Sequence, residues 1–177
     1  MGHTSTPLLL AALVTVGACA TTAPTGASAD DLVTRSAASL AAGRSDLALA
    51  DLDAAVRADP GHAQARYDRA MLRHGTGQAQ GAMEDIDVAV TLRPMDPTVR
   101  SARCVIQVAA ERSDAGLKNC QYALVMPGAS TAAVQQAYGQ ALQSLGREQD
   151  AQVAFQAAEA ARPAADPAPP PTTAASK

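Results

Sequence analysis

The stretch "ALADLDAAVRADP" at 48–60 recurs 34 residues later as "AMEDIDVAVTLRP" at 82–94. Ala48 falls on Ala82, Asp51 on Asp85, Leu52 on Ile86, Asp53 on Asp87, Ala55 on Ala89, Val56 on Val90 and Pro60 on Pro94. Within each copy the apolar residues lie three and four apart, as Ala48, Leu52, Ala55 and Val56 do, which gives a helix one adhesive face. Proline closes each copy because it lacks an amide proton and disfavours helix in the residue before it. The same spacing continues outward. Arg35, Arg69 and Arg103 keep it, and Gly43 and Gly77 mark one turn. The segment "AYGQALQSLGREQDAQVAFQAAEAARP" (137–163) carries it on through Gly146, Ala151, Phe155, Ala158 and Pro163. A fixed period of this length marks a repeat array, in which one helix pair cannot bury its face alone and neighbouring pairs stack.

Two helical patterns per 34 residues, with glycine between them and proline after the second, resemble the tetratricopeptide repeat (TPR). The resemblance covers residues 29–163, and "AQARYDRAMLRHGTGQAQGAMEDIDVAVTLRP" (63–94) matches best. It implies an all-α protein, an α-solenoid of about four helix-turn-helix repeats at about 29–62, 63–96, 97–128 and 132–163, wound as a right-handed superhelix. The first helix of each pair is then expected to line a concave face. Leu32, Arg66, Arg100 and Gln135 occupy the place where the family commonly has a large aromatic residue; Glu111 replaces the turn glycine of the third repeat, and Pro127 arrives one residue early.

Composition narrows the function. The 177 residues are 47% hydrophobic but only 2% aromatic, with no tryptophan, so the core is built from small aliphatic groups. Alanine dominates, which favours helix. A net charge of −3 offers no basic patch for phosphate contacts, which argues against nucleic-acid binding.

The apolar run "LLLAALVTVGA" (8–18) is too short to span a bilayer and has the length of an export-signal core. It ends in "VGAC" (16–19), which resembles the lipobox of bacterial lipoproteins, an aliphatic and two small residues before a lipidated cysteine. The resemblance implies a signal peptide at 1–18, lipidation at Cys19, and a membrane anchor of several acyl chains on the periplasmic side of the envelope. Ala20 in place of Asp points to the outer membrane. Residues 19–28, small and polar, read as a flexible tether. At the other end "PAADPAPPPTTAASK" (163–177) cannot build a core; beyond Pro163 the chain is expected to be a disordered, proline-rich tail.

Comparing the copies with one another exposes two slots that change together. The first-helix slot holds Ser36, Ala70, Cys104 and Gly139; the second-helix slot holds Leu52, Ile86, Cys120 and Phe155. The smallest first member meets the largest second, as a well-filled contact requires if the slots touch. Cys104 and Cys120 are therefore expected to face each other, and in an oxidising compartment to form a disulfide closing a loop of about 15 residues. A reduced core pair is the bland alternative. A catalytic thiol pair lacks Cys-x-x-Cys. A metal site lacks ligand spacing, since His62 and His74 sit in another repeat.

A second set pairs Arg35, Arg69 and Arg103 with Asp51, Asp85 and Asn119, while the fourth copy replaces both members with Tyr138 and Ala154. These read as structural arginines bonded to a second helix, of their own repeat or the one before. "GTGQAQG" (75–81) follows no strand and is a turn rather than a phosphate loop; "EDID" (84–87) is helix rather than a calcium loop. No nucleophile, paired-carboxylate or metalloprotease pattern points to an enzyme, and no cofactor, metal or small-molecule substrate is implied.

The function expected is that of a lipid-anchored scaffold or adaptor binding another envelope protein or peptide. Its groove would be lined by Val33, Ala37, Tyr67, Asp68, Met71, His74, Ser101, Val105, Val108, Gln136, Gln140 and Gln143. The alternatives are an assembly subunit that uses the ends of the stack, where Gln149, Gln152, Gln156 and Glu159 lie on the last helix, and a thiol-disulfide redox protein.

Overall fold

In a computed structural model the described residues are 26–110, 113–129 and 131–162. They form helices α1 (Ala29–Ala41), α2 (Ser45–Ala58), α3 (Ala63–Gly75), α4 (Ala79–Leu92), α5 (Pro97–Ala109), α6 (Ser113–Leu124), α7 (Thr131–Ser144) and α8 (Glu148–Ala160). No strand occurs among the described residues. Nor is any helix there long and apolar enough to cross a membrane. Cys19, its apolar run, the tether up to 25 and the tail from 163 lie outside the described residues.

Each odd-numbered helix packs along its even-numbered successor, and each even one against the next pair. Successive odd helices also touch one another, whereas the even ones do not. The odd helices therefore line the inner side of a TPR-type solenoid and the even helices its outer side.

Local sequence explains the boundaries. Each even helix stops one to two residues short of its proline: α2 before Pro60, α4 before Pro94, α6 before Pro127, α8 before Pro163. Three of the sharp turns inside repeats use a left-handed glycine, Gly43 (φ 71°), Gly77 (φ 77°) and Gly146 (φ 73°). In each turn the amide after the glycine donates to a carbonyl five residues back: Arg44 to Ser39, Gln78 to Arg73 and Arg147 to Leu142, at 2.8–2.9 Å. That is the Schellman arrangement, whose left-handed residue carries no strain only as glycine. First turns are capped as well. Ser28 and Asp31 form a capping box on α1, Nδ1 of His62 accepts from the amide of Ala65, and Asp96 caps α5 ahead of Pro97.

The core is a chain of small clusters, three of which straddle a repeat boundary. Leu32, Ala55, Val56 and Ala65 join the first two pairs. Ala70, Met83, Ile86, Val90, Val99 and Ile106 join the second and third. Cys104, Cys120, Ala123, Val134, Ala137 and Ala141 join the third and fourth. A fourth, Leu142, Ala151 and Ala154, lies within the last pair with Leu117 of the third packed against it, so most of the core is shared between neighbours.

Both ends of the stack break the pattern in the same way. Leu49, Met83 and Leu117 share a slot filled on α8 by Gln152; Val56, Val90 and Leu124 share one filled by Glu159. Both α8 residues are exposed. On α1, Asp31 stands exposed where Ala65, Val99 and Val134 are buried. Polar side chains thus face water where internal repeats glue to the next.

Candidate functional site

The inner surface and the contacts that shape it start from the pairing of α-helices within repeats. The slot pairs touch. Cys104 and Cys120, both fully buried, are joined as a disulfide, with Cα atoms 4.8 Å apart and a sequence separation of 16. In repeat four the other extreme holds: a Cβ on Gly139 would lie 2.6 Å from Cδ1 of Phe155 and closer still to Cε1.

The same offset of 16 organises the charges. Arg35 donates through Nε and Nη2 to both carboxylate oxygens of Asp51, and Arg69 makes the same fork to Asp85 at 2.7 and 2.6 Å. Asp85 is only 1% exposed. Arg66 and Arg73, one turn to either side of Arg69 on α3, also donate to it at 2.9 and 2.8 Å. Burial, the largest influence, pushes the Asp85 carboxyl up. The hydrogen bonds of Arg69 and Arg66 and the charges of Arg69 and Arg73 overcome this and hold it below the ordinary carboxylate range.

Repeat three departs from the expected pairing of Arg103 with Asn119. Arg103 Nε donates instead to Asp87 of the preceding repeat at 2.8 Å, while Asn119 donates to Gln107 at 2.6 Å. The neutral amide offers a poorer acceptor than the Asp87 carboxylate. This turn to the preceding repeat, one of the two readings the sequence left open, belongs to a second series whose acceptors the slot comparison did not name. Arg69 Nη1 donates to Asp53 at 2.8 Å, Arg103 to Asp87, and Gln121 to the hydroxyl of Tyr138 at 3.2 Å. Arg69 serves both series, clamping α3 to α2 and α4 at once, and Arg73 one turn on reaches the same two acids, Asp53 at 3.3 Å and Asp85 at 2.8 Å.

The residues expected to line the groove divide. Ala37, Gln140 and Gln143 are exposed, and Val33, Tyr67, Asp68, Met71, His74, Val105 and Gln136 half-buried. Ser101 and Val108 are not available to a partner: they are 4% and 9% exposed. Ser101 turns its hydroxyl to the carbonyl of Pro97 at 2.7 Å, and Val108 packs beside Cys104 and Cys120. The cause is a difference in spacing, for α5 and α7 lie against each other while α1 and α3 meet only sparsely. Between α1 and α3 remains a depression of about 310 Å³ lined by Ser36, Ala37, Leu40, Asp68, Met71 and Leu72. Leu40 is absent from the residues expected from sequence, although it shares the slot of His74, Val108 and Gln143. Its spacing alone would have found it.

Asp68 is the acid of this depression. Gln64 donates to it at 2.9 Å. Burial pushes its carboxyl above the ordinary range, against the hydrogen bond of Gln64 and the charges of His62 and Arg93. Burial also raises the neighbouring Tyr67 phenol, helped by the charges of Asp68 and Asp96. No group of three or more His, Cys, Asp or Glu suited to a metal occurs among the described residues.

No protein-family model and no curated protein sequence matches this chain. Solved structures of MamA do. One superposes with a TM-score of 0.65 at 16% identity over 75% of this chain and 77% of that one. MamA 41-end from Desulfovibrio magneticus RS-1 gives 0.67 at 16%, over 75% of each. MamA of MSR-1 gives 0.67 at 14%, over 79% of this chain and 80% of that one. The likeness is one of fold, a TPR-like helical solenoid.

Proposed function

We propose that the chain is a scaffold whose inner surface holds an extended or helical segment of another protein. The observation that carries this reading is a contrast between surfaces. Both ends of the stack carry polar residues where inner repeats stick together, Asp31 at one and Gln152 and Glu159 at the other, so end-on attachment is disfavoured. The inner surface keeps an apolar, mostly neutral lining open to solvent in Ala37, Leu40, Met71 and Val105. A solenoid that presents such a surface on rigid helices is suited to peptide recognition.

The setting follows from the first residues. The lipobox-like "VGAC" supports lipidation at Cys19 and an anchor on the periplasmic side of the envelope, in keeping with an outer-membrane lipoprotein. A disulfide fits that oxidising space. The reading contains no catalytic step.

The test is photo-crosslinking in the native envelope followed by mass spectrometry. A photoreactive residue at Ala37 or Gln140 is expected to capture one protein reproducibly, and the same residue at Gln152 or Gln156 is not. Capture from α8 without capture from the inner positions would transfer the function to the stack end.

A further inference from the structure

The aspartates of the stack interface set the terms. Asp51, Asp53, Asp85 and Asp87 each hold an arginine at hydrogen-bonding distance. Asp68 is half-buried and its hydrogen bond comes from neutral Gln64. The basic side chains near it are engaged elsewhere: His62 bonds Asp30 at 2.9 Å, and Arg93 meets Gln64 at 3.2 Å and Asp96 at 3.7 Å. In the equivalent slot repeats three and four carry Ala102 and Ala137, both buried. A carboxylate there gains the stack nothing, since burial disfavours its charge. What it does is place a negative charge in the wall of the depression between Leu40 and Met71.

We propose, on the inner-surface reading above, that this depression is the specificity pocket: it receives an aliphatic side chain of the partner segment, and Asp68 binds a lysine or arginine beside it. The apolar walls of Ala37, Leu40, Met71 and Leu72 take the aliphatic group. Asp68 supplies the charge that the partner's cation completes, and a partner with an acid at that point is repelled. A charge-assisted hydrogen bond of this kind contributes more to choosing a partner than a neutral one does.

Short synthetic peptides carrying Leu-Lys, Leu-Gln, Leu-Glu or Ala-Lys in a neutral background, titrated into the purified chain and followed by fluorescence anisotropy, test this. Leu-Lys peptides are expected to bind about tenfold or more tighter than Leu-Gln peptides. Asp68→Asn should erase that difference, Asp68→Lys should reverse it toward Leu-Glu, and Leu40→Ala should narrow the gap between Leu-Lys and Ala-Lys. Unchanged helical circular dichroism in each variant keeps folding out of the comparison. A preference for Lys that survives Asp68→Asn, or no binding by any of the peptides, overturns the proposal. Should neutral or acidic peptides be chosen and lost in Gln140→Trp, the pocket assignment fails while the inner-surface reading stands. Binding indifferent to both Ala37→Trp and Gln140→Trp removes that reading too.

Discussion

Replacing Gly139 with alanine tests the packing rule that orders the whole stack. The added methyl would lie 2.6 Å from Cδ1 of Phe155 and nearer to Cε1, well inside ordinary contact, so the ring must swing away. Overpacking of this kind costs about 1–3 kcal/mol. Alanine returns about 1 kcal/mol of helix propensity, leaving a net loss of up to about 2 kcal/mol. Phe155→Ile alone should lose about as much by vacating ring volume. Together the two changes recreate the Ala70–Ile86 contact of repeat two, where both side chains are fully buried. The double variant is therefore expected to regain most of the lost stability, with a coupling of about 2 kcal/mol. Urea unfolding followed by circular dichroism measures all four corners of the cycle. Additive losses, within about 0.5 kcal/mol, would refute the idea that these slots trade volume.

Three further outcomes follow from the polar and covalent contacts. Asp85→Asn should cost about 3 kcal/mol, because three arginines lose a buried partner, whereas Asp51→Asn should cost about 1 kcal/mol, since Arg35 is 40% exposed; equal losses would contradict the difference in burial. Acid should act through the same group. The Asp85 carboxyl is lowered on folding, so its contribution is present at neutral pH and is lost as pH falls through the ordinary carboxylate range and below, while Asp68, raised on folding, contributes with the opposite sign. Urea midpoints from about pH 7 to about pH 3 should fall less steeply in Asp85→Asn than in the native chain. Reduction of the disulfide, or Cys104→Ser with Cys120→Ser, should lower stability by about 3 kcal/mol in the same unfolding assay.

Much of this architecture could be read from the 34-residue spacing. Pro60 and Pro94 mark where helices stop, Gly43 and Gly77 where they turn, and the repeated apolar slots which faces meet. Reading the copies against one another also placed Arg35 beside Asp51, Arg69 beside Asp85 and Cys104 beside Cys120. What it left unnamed are the acceptors of the contact between repeats, although a partner on the repeat before was one of its two readings. Asp53, Asp87 and Gln121 vary in step with Arg69, Arg103 and Tyr138 one pair further on, but a comparison made within each repeat is blind to a partner in the next. Ser101 and Val108 went astray for a related reason. A slot on the inner side is open or closed according to how near the adjacent first helix comes, and small residues such as Ala137 and Ala141 let α7 approach α5 closely.

The clasps between paired helices are chemically unlike, though each joins residues 16 apart in the chain. Carboxylates and guanidinium groups hold the first two repeats, sulfur bonded to sulfur the third, and a phenyl ring seated on a bare backbone the fourth. Such an array has no single weak link. Acid would loosen it from the amino-terminal half, a reductant from within, and a slight change in bulk at one glycine from the far end, so the order in which the coils separate is set by the surroundings rather than by the fold.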